Sequence, residues 1–246
     1  MTKLAAQPDY ELSDGVTLRL LCAGAAKGVV EALAPIFREE SGAELDAAFG
    51  AVGAMKARFD SGQSCDLIVL SAQLVESLAN EGRVLADTIA ALGSVPTGVA
   101  VRVGDPLPVV RDGPSLRAAL VHAAAIYFPD PERATAGIHF MGVLRKLAIE
   151  REVAARLRPF PNGAAAMRAL ADDGGPSDIG CTQMTEIRYT TGVAAVAPLP
   201  PGFDLSTVYS VAVPRDAASR QLARAFATLL TGPRSRTLRI AGGFEI

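Results

Sequence analysis

Hydrophobic and polar positions along this chain alternate between two rhythms. Short apolar runs of strand length lead into turns of small residues. Stretches follow in which apolar residues recur three and four apart, the spacing of one helix face. The first unit sets the pattern. Residues 16–22 read as a buried strand, Ala23-Gly-Ala-Ala26 as the turn, and residues 27–40 as a helix with Val29, Val30, Leu33, Ile36 and Phe37 on its inner face. Pro35 is expected to bend that helix, and Ser41-Gly42 to close it. Residues 44–49 and 66–70 are predicted as two further strands. Gly50-Ala-Val-Gly53 turns the first of these into a helix carrying Met55 and Phe59; Ser71-Ala72 turns the second into a helix over 73–80. Three strand-turn-helix units in succession predict a parallel sheet with right-handed crossovers.

The rhythm then changes. Residues 95–103 and 207–213 read as long extended runs that bracket a middle segment with its own units. That segment is predicted to hold helices over 115–123, 135–149, 152–157 and 164–171, strands over 125–128, 178–181 and 193–196, and a short helix ending at Ile187. An amphipathic helix over 216–231 and a final helical stretch over 235–241 complete the chain. The expected fold is α/β with two lobes and a ligand cleft at a two-strand hinge. Lobe one takes residues 15–95 and 214–246, lobe two takes 104–205, and residues 96–103 and 206–213 are the hinge strands. Such an arrangement suits closure around a ligand.

Composition narrows the function. Half of the 246 residues are hydrophobic and a fifth are charged, enough for ample core in one or two domains. The net charge of −2, with both signs interspersed, gives no nucleic-acid surface. Cys22, Cys65 and Cys181 have no metal-ligand spacing, and an odd count gives no disulfide framework. With only His122 and His139, no metal site is expected. No Walker, dinucleotide, zinc or Ser-His-Asp signature appears, so no cofactor is expected. No run is long enough to insert in a membrane. Residues 1–14 read as a polar, poorly ordered lead-in without the apolar core of a secretory signal. As written the chain is expected in the cytoplasm, or in the periplasm if a leader has been trimmed.

A strand that enters a helix through a small-residue turn leaves backbone N–H groups unpaired at the helix start, a ready site for an anion. The order of Ala32-Leu-Ala-Pro-Ile-Phe37, Phe49-Gly-Ala-Val-Gly-Ala54, Cys65-Asp-Leu-Ile-Val69 and Asn80-Glu-Gly-Arg-Val84 resembles the molybdate-binding-protein-like group of periplasmic solute-binding proteins. So do Asp130-Pro-Glu-Arg-Ala-Thr-Ala-Gly137 and Asp178-Ile-Gly-Cys-Thr-Gln183 followed by Val196-Ala-Pro-Leu-Pro200. The resemblance spans the chain from residue 15. It implies the two-lobe type II fold, a small anionic ligand at the hinge and, for an exported protein, an ABC permease as partner. Molybdate binders of the group present serines from the first two turns. Here those turns carry Ala25, Ala26, Ala51 and Val52. A buried oxyanion without hydroxyl donors is costly, so a di- or tricarboxylate is expected over molybdate. The group's aconitate-isomerase-like branch, which holds a tricarboxylate on this scaffold, offers a cofactor-free isomerase as the alternative. An intracellular sensor domain is a third.

The candidate ligand-binding residues are Ala25, Ala26, Lys27, Ala51, Val52, Ser71, Thr135, Ala136, Asn162, Cys181, Thr182, Gln183 and Tyr209, with Ser210 beside the last. Each has a plainer reading. Lys27 is either a cation for a carboxylate or an exposed lysine at a helix end. Thr135, Asn162 and Ser71 are either ligand donors or simple helix caps. Thr182 and Gln183 end a strand of lobe two, where such folds bind ligands. For an enzyme, His139 and Lys27 are the candidate proton carriers; on a helix, His139 equally suits surface or core.

Overall fold

The computed structural model describes residues 15–246; the lead-in expected over 1–14 lies outside them. The strands form one ladder in the order β2-β1-β3-β9-β4-β7-β5-β6, with β8 also on β4. β1 (Thr17–Ala23), β2 (Glu44–Gly50) and β3 (Leu67–Ser71) are parallel, as their intervening helices α1 (Lys27–Ser41) and α2 (Val52–Asp60) require. α3 (Ala72–Asn80) leads to β4, which runs from Ala90 to Arg102. The amphipathic face of α1 is buried where the spacing predicted, at Val29, Val30, Leu33 and Phe37, and the helix continues through Pro35.

β4 organises the molecule. Its first half, Ala90 to Pro96, pairs antiparallel with β9 (Ser206–Ala212) in the first sheet. Its second half, from Thr97, pairs with β7 (Ile179–Gln183) and β8 (Val193–Pro198) in the second. The second sheet is extended by β5 (Ile126–Pro129) and β6 (Leu157–Phe160), parallel to each other. One strand thus belongs to both lobes. The sequence put a second crossing strand at 206–213, but β9 pairs with β3 and β4 inside the first sheet along its length. The return passes through the preceding residues, where Thr97 N–H donates to the Leu205 carbonyl.

The remaining helices of the second lobe are α4 (Gly113–His122), α5 (Thr135–Lys146), α6 (Glu150–Val153), α7 (Gly163–Asp173) and α8 (Met184–Tyr189). α4 starts two residues ahead of expectation. Asp112 is its cap, and Ser115 closes a capping box from the third position. α9 (Arg220–Thr231) and α10 (Arg236–Gly242) return to the first lobe. There the Arg239 guanidinium, 3% exposed, donates to the carbonyls of Leu92, Thr231 and Gly232, tying α10 to β4.

Two apolar cores follow. The larger packs α1, α9 and the first sheet and reaches Met167, Leu170, Met184 and Ile187 of α7 and α8. The smaller lies around Phe128, Phe140 and Leu144. In the first, the rings of Phe37 and Phe226 meet edge-on at 4.9 Å. Phe226 is fully buried, so Phe226→Ala is expected to lower unfolding stability by about 3–5 kcal/mol. Chemical denaturation would show it as an earlier midpoint; an unchanged midpoint would contradict this packing.

Candidate functional site

Four helix starts meet between the lobes around a chamber of about 20 Å³, room for one water. They are the 3-10 turn Gly24–Ala26 that precedes α1, and the first residues of α2, α5 and α7. Ala25, Ala51, Val52, Thr135, Ala136, Asn162, Gln183 and Tyr209 all line it. The chamber shares Val52 and Thr135 with an open groove of about 750 Å³ on one side, and Gly24, Gly50 and Asn162 with one of about 440 Å³ on the other. The lobes touch across it. Gly53 N–H donates to the Arg133 carbonyl at 3.2 Å, and the Tyr189 hydroxyl donates to Glu31.

Three of the four starts have alanine in the capping position: Ala23 for the 3-10 turn, Ala51 for α2 and Ala134 for α5. None has a side-chain cap. Alanine is among the poorest capping residues, because it offers no oxygen to the first-turn N–H groups. Thr135 is expected as a cap, but it stands one position later, as the first residue of α5, and caps nothing. The Gly53 N–H of α2 is taken by the Arg133 carbonyl; the remaining first-turn N–H groups, with the positive helix ends behind them, have no side-chain cap.

The fourth start is different. Asn162 Oδ1 accepts from Ala165 N–H at 2.9 Å, which gives Asn162 the plainer of its two readings. The N–H groups of Gly163 and Ala164 are addressed by the carboxylate of Glu186, in the first turn of α8. Glu186 also accepts from the Thr182 hydroxyl at 2.6 Å. Thr182 is fully buried and turned to this carboxylate, outside the chamber lining. Backbone approach makes the arrangement possible. A Cβ on Gly163 would lie 1.9 Å from Glu186 Oε2, and one on Gly24 would lie 2.7 Å from Oε1. Glu186 therefore reaches from lobe two to the first turn of lobe one. Burial pushes its carboxyl above the usual range, against the Thr182 and backbone donors that favour the charge.

Sequence reasoning missed Glu186. An acid in the first turn of a helix reads as an ordinary complement to the dipole, and its separation of four from Thr182 was the only local signal.

Gln183, 3% exposed, presents the second acceptor. Its Nε2 donates to Thr207 Oγ1 at 3.4 Å, while its Oε1 is buried without a partner. Tyr209 is 2% exposed and lines the same chamber; burial and the Glu186 charge push its hydroxyl up.

Other candidates are placed elsewhere. Lys27 lies 3.7 Å from Glu31, with its ammonium over the rings of Phe49 and Tyr189, and borders the smaller groove. His139 is turned away from the chamber, with Nε2 2.7 Å from the Phe203 carbonyl. Cys181 is fully buried in the second core and Ala26 in the first; neither lines the chamber. Ser71 borders the larger groove at the start of α3, with no capping bond. Ser210 is buried beside Tyr209. Among the described residues no cluster of three His, Cys, Asp or Glu side chains could hold a metal ion, and no helix is long and apolar enough to cross a membrane.

Two α/β lobes joined by a shared strand define the two-lobe type II binding-protein fold. Over residues 18–245 the chain matches the family described as bacterial extracellular solute-binding protein, and it belongs to that family. It is 25% identical over 231 residues to an aconitate isomerase of Pseudomonas sp, covering 90% of this chain and 85% of that one. Among solved structures, it resembles the periplasmic molybdate-binding protein of Azotobacter vinelandii. The TM-score there is 0.78 at 19% identity, over 93% of this chain and 99% of the other. The sulfate-binding protein SubI of Mycobacterium tuberculosis H37Rv gives 0.71 at 19% identity, over 93% and 86%. At such identities both are likenesses of fold.

Glu186 has a pH signature. Its carboxyl is raised from about 4.5 by burial, so its contribution to stability is complete at pH values below that and is lost as pH rises through the raised value. Glu186→Gln removes this titration. The melting temperature of Glu186→Gln minus that of the unsubstituted protein is expected to grow as pH rises from about 4.5 through the raised value. Parallel melting curves over that range would sink the assignment.

Proposed function

We propose that this protein captures a small organic anion, a di- or tricarboxylate rather than molybdate, in the cleft between its lobes, which part to widen the one-water chamber. One observation carries the reading: three helix starts with alanine caps converge on a single point. A carboxylate brought there supplies the acceptors that the chain omits. Ala25, Ala51 and Val52 add no hydroxyl to the wall, which leaves Thr135 and Tyr209 as its hydroxyl groups. Four oxygens of a tetrahedral oxyanion would then be under-supplied with donors. The larger groove supports a second carboxylate on the ligand. Arg133 lines it beside Val52 and Thr135 and makes no ion pair with the acidic side chains of the described residues. One end of a dicarboxylate would enter the chamber as the lobes part and close, and the other would lie in the groove. We place the protein outside the cytoplasm, in keeping with the family description, with an ABC permease as its partner.

Glu186 favours a second reading, a cofactor-free isomerase like the Pseudomonas relative. Such a reaction moves one proton from carbon to carbon and needs a single enclosed acid/base. Glu186 borders the chamber, whereas His139 and Lys27 do not.

A thermal-shift screen of carboxylates and oxyanions, followed by NMR of each hit, tests both readings. Stabilisation by di- or tricarboxylates without conversion is expected for the binding protein; conversion would establish the isomerase. Molybdate stabilising the protein more than any carboxylate would overturn the ligand class. The double substitution Ala25→Ser and Ala51→Ser is expected to raise molybdate affinity by about tenfold or more, since each hydrogen bond to a charged group contributes about 1.5–3 kcal/mol.

A further inference from the structure

The chamber has two chemically distinct sides. The starts of the 3-10 turn, α2 and α5 offer N–H donors and no side-chain acceptor. The wall made by the end of β7 and the start of α8 offers acceptors. Gln183 Oε1 is enclosed with no partner, and its amide is anchored through Nε2 to Thr207. Beside it, the Glu186 carboxylate lies against the backbone N–H groups of Gly163 and Ala164. The α7 start, which the sequence offers as a fourth donor set, is therefore filled by the chain's own anion.

Among the described residues no side-chain cation pairs with Glu186. Lys27 of α1 is held by Glu31 and two aromatic rings. Arg168 of α7 borders the outer groove, and Arg188 of α8 reaches the Ala241 carbonyl. The titratable groups behind Glu186 are Tyr209 of β9 and, behind that, Cys22 of β1, both neutral.

We propose that the ligand is a hydroxycarboxylate, with Gln183 and Glu186 as its specificity-determining residues. Its carboxylate caps the starts of α2 and α5, and its hydroxyl donates to Gln183 Oε1 beside the Glu186 carboxylate. This rests on the cleft being a site for small organic anions and names their class. An anion with acceptors alone leaves Gln183 Oε1 unpaired and sets its own charge against Glu186. A site with a buried unpaired polar atom discriminates strongly against the analogue that lacks the matching group.

Calorimetry on the full chain tests the proposal with malate and succinate, dicarboxylates that differ by one hydroxyl, and with sulfate. Malate is expected to bind at least about tenfold more tightly than succinate, and sulfate weakly or not at all. Gln183→Leu should abolish the malate preference, bringing the malate and succinate affinities within about threefold of each other. Glu186→Ala frees the α7 N–H groups and should raise sulfate affinity at least about tenfold. Succinate binding as tightly as malate to the unsubstituted protein would overturn this proposal and leave the organic-anion reading standing. That measurement needs no variant to fold. Failure of both dicarboxylates to bind would bring down the organic-anion reading, and this proposal with it. An unchanged preference in a Gln183→Leu protein of native circular dichroism would remove Gln183 from the role.

Discussion

The first N–H groups of a helix have no partner within the helix, and something must accept from them. Much of this structure follows from how four such starts are supplied at one place. α7 is supplied from within the chain, by Asn162 Oδ1 on the Ala165 N–H and by the Glu186 carboxylate lying against the start of the helix. The starts behind Ala23, Ala51 and Ala134 have no side-chain supply. A chain selected for stability alone would put serine or aspartate at such positions, worth about 1 kcal/mol each. Three such omissions surround one chamber, where a cost in stability leaves backbone N–H groups without a side-chain acceptor.

That capacity depends on how the lobes are joined. β4 contributes its first half to one sheet and its second half to the other, so the two sets of helix starts are held by one continuous strand. Contacts close the gap from opposite sides: Gly53 with Arg133 near the larger groove, and Tyr189 with Glu31 near the smaller. Each is a hydrogen bond of modest net strength, so parting the lobes there costs little compared with either apolar core. The α8 side differs. Met184 and Ile187 belong to the larger core, and this anchors Glu186 beside the first lobe.

Glu186 and Gln183 give the chamber its asymmetry. A carboxylate enclosed on all sides is expensive unless donors surround it. Here Thr182 and the α7 backbone do so, and Gly163 and Gly24 leave the space it needs. One wall of the chamber presents acceptors, the unpartnered Gln183 Oε1 and the Glu186 carboxylate, while the facing helix starts present N–H groups.

The order of elements was legible from the chain because it depends on local periodicity. Apolar runs gave β1 and β3, the spacing of Val29, Leu33 and Phe37 gave α1, and small-residue turns marked where strands pass into helices. The turns that became the chamber were legible for the same reason, including the missing hydroxyls at Ala25, Ala51 and Val52. What depends on distant contacts was not. The pairing of β9 inside the first sheet, the turning of His139 to Phe203 and the holding of Lys27 by Phe49 and Tyr189 join residues far apart in the chain. Glu186 is the sharpest case. By sequence it is one acid in a helical first turn; only the packing of α8 against α7 and the first lobe encloses its carboxylate and brings it to the chamber. Local pattern determined which backbone groups would need an acceptor, and tertiary packing decided which of them the protein supplies itself.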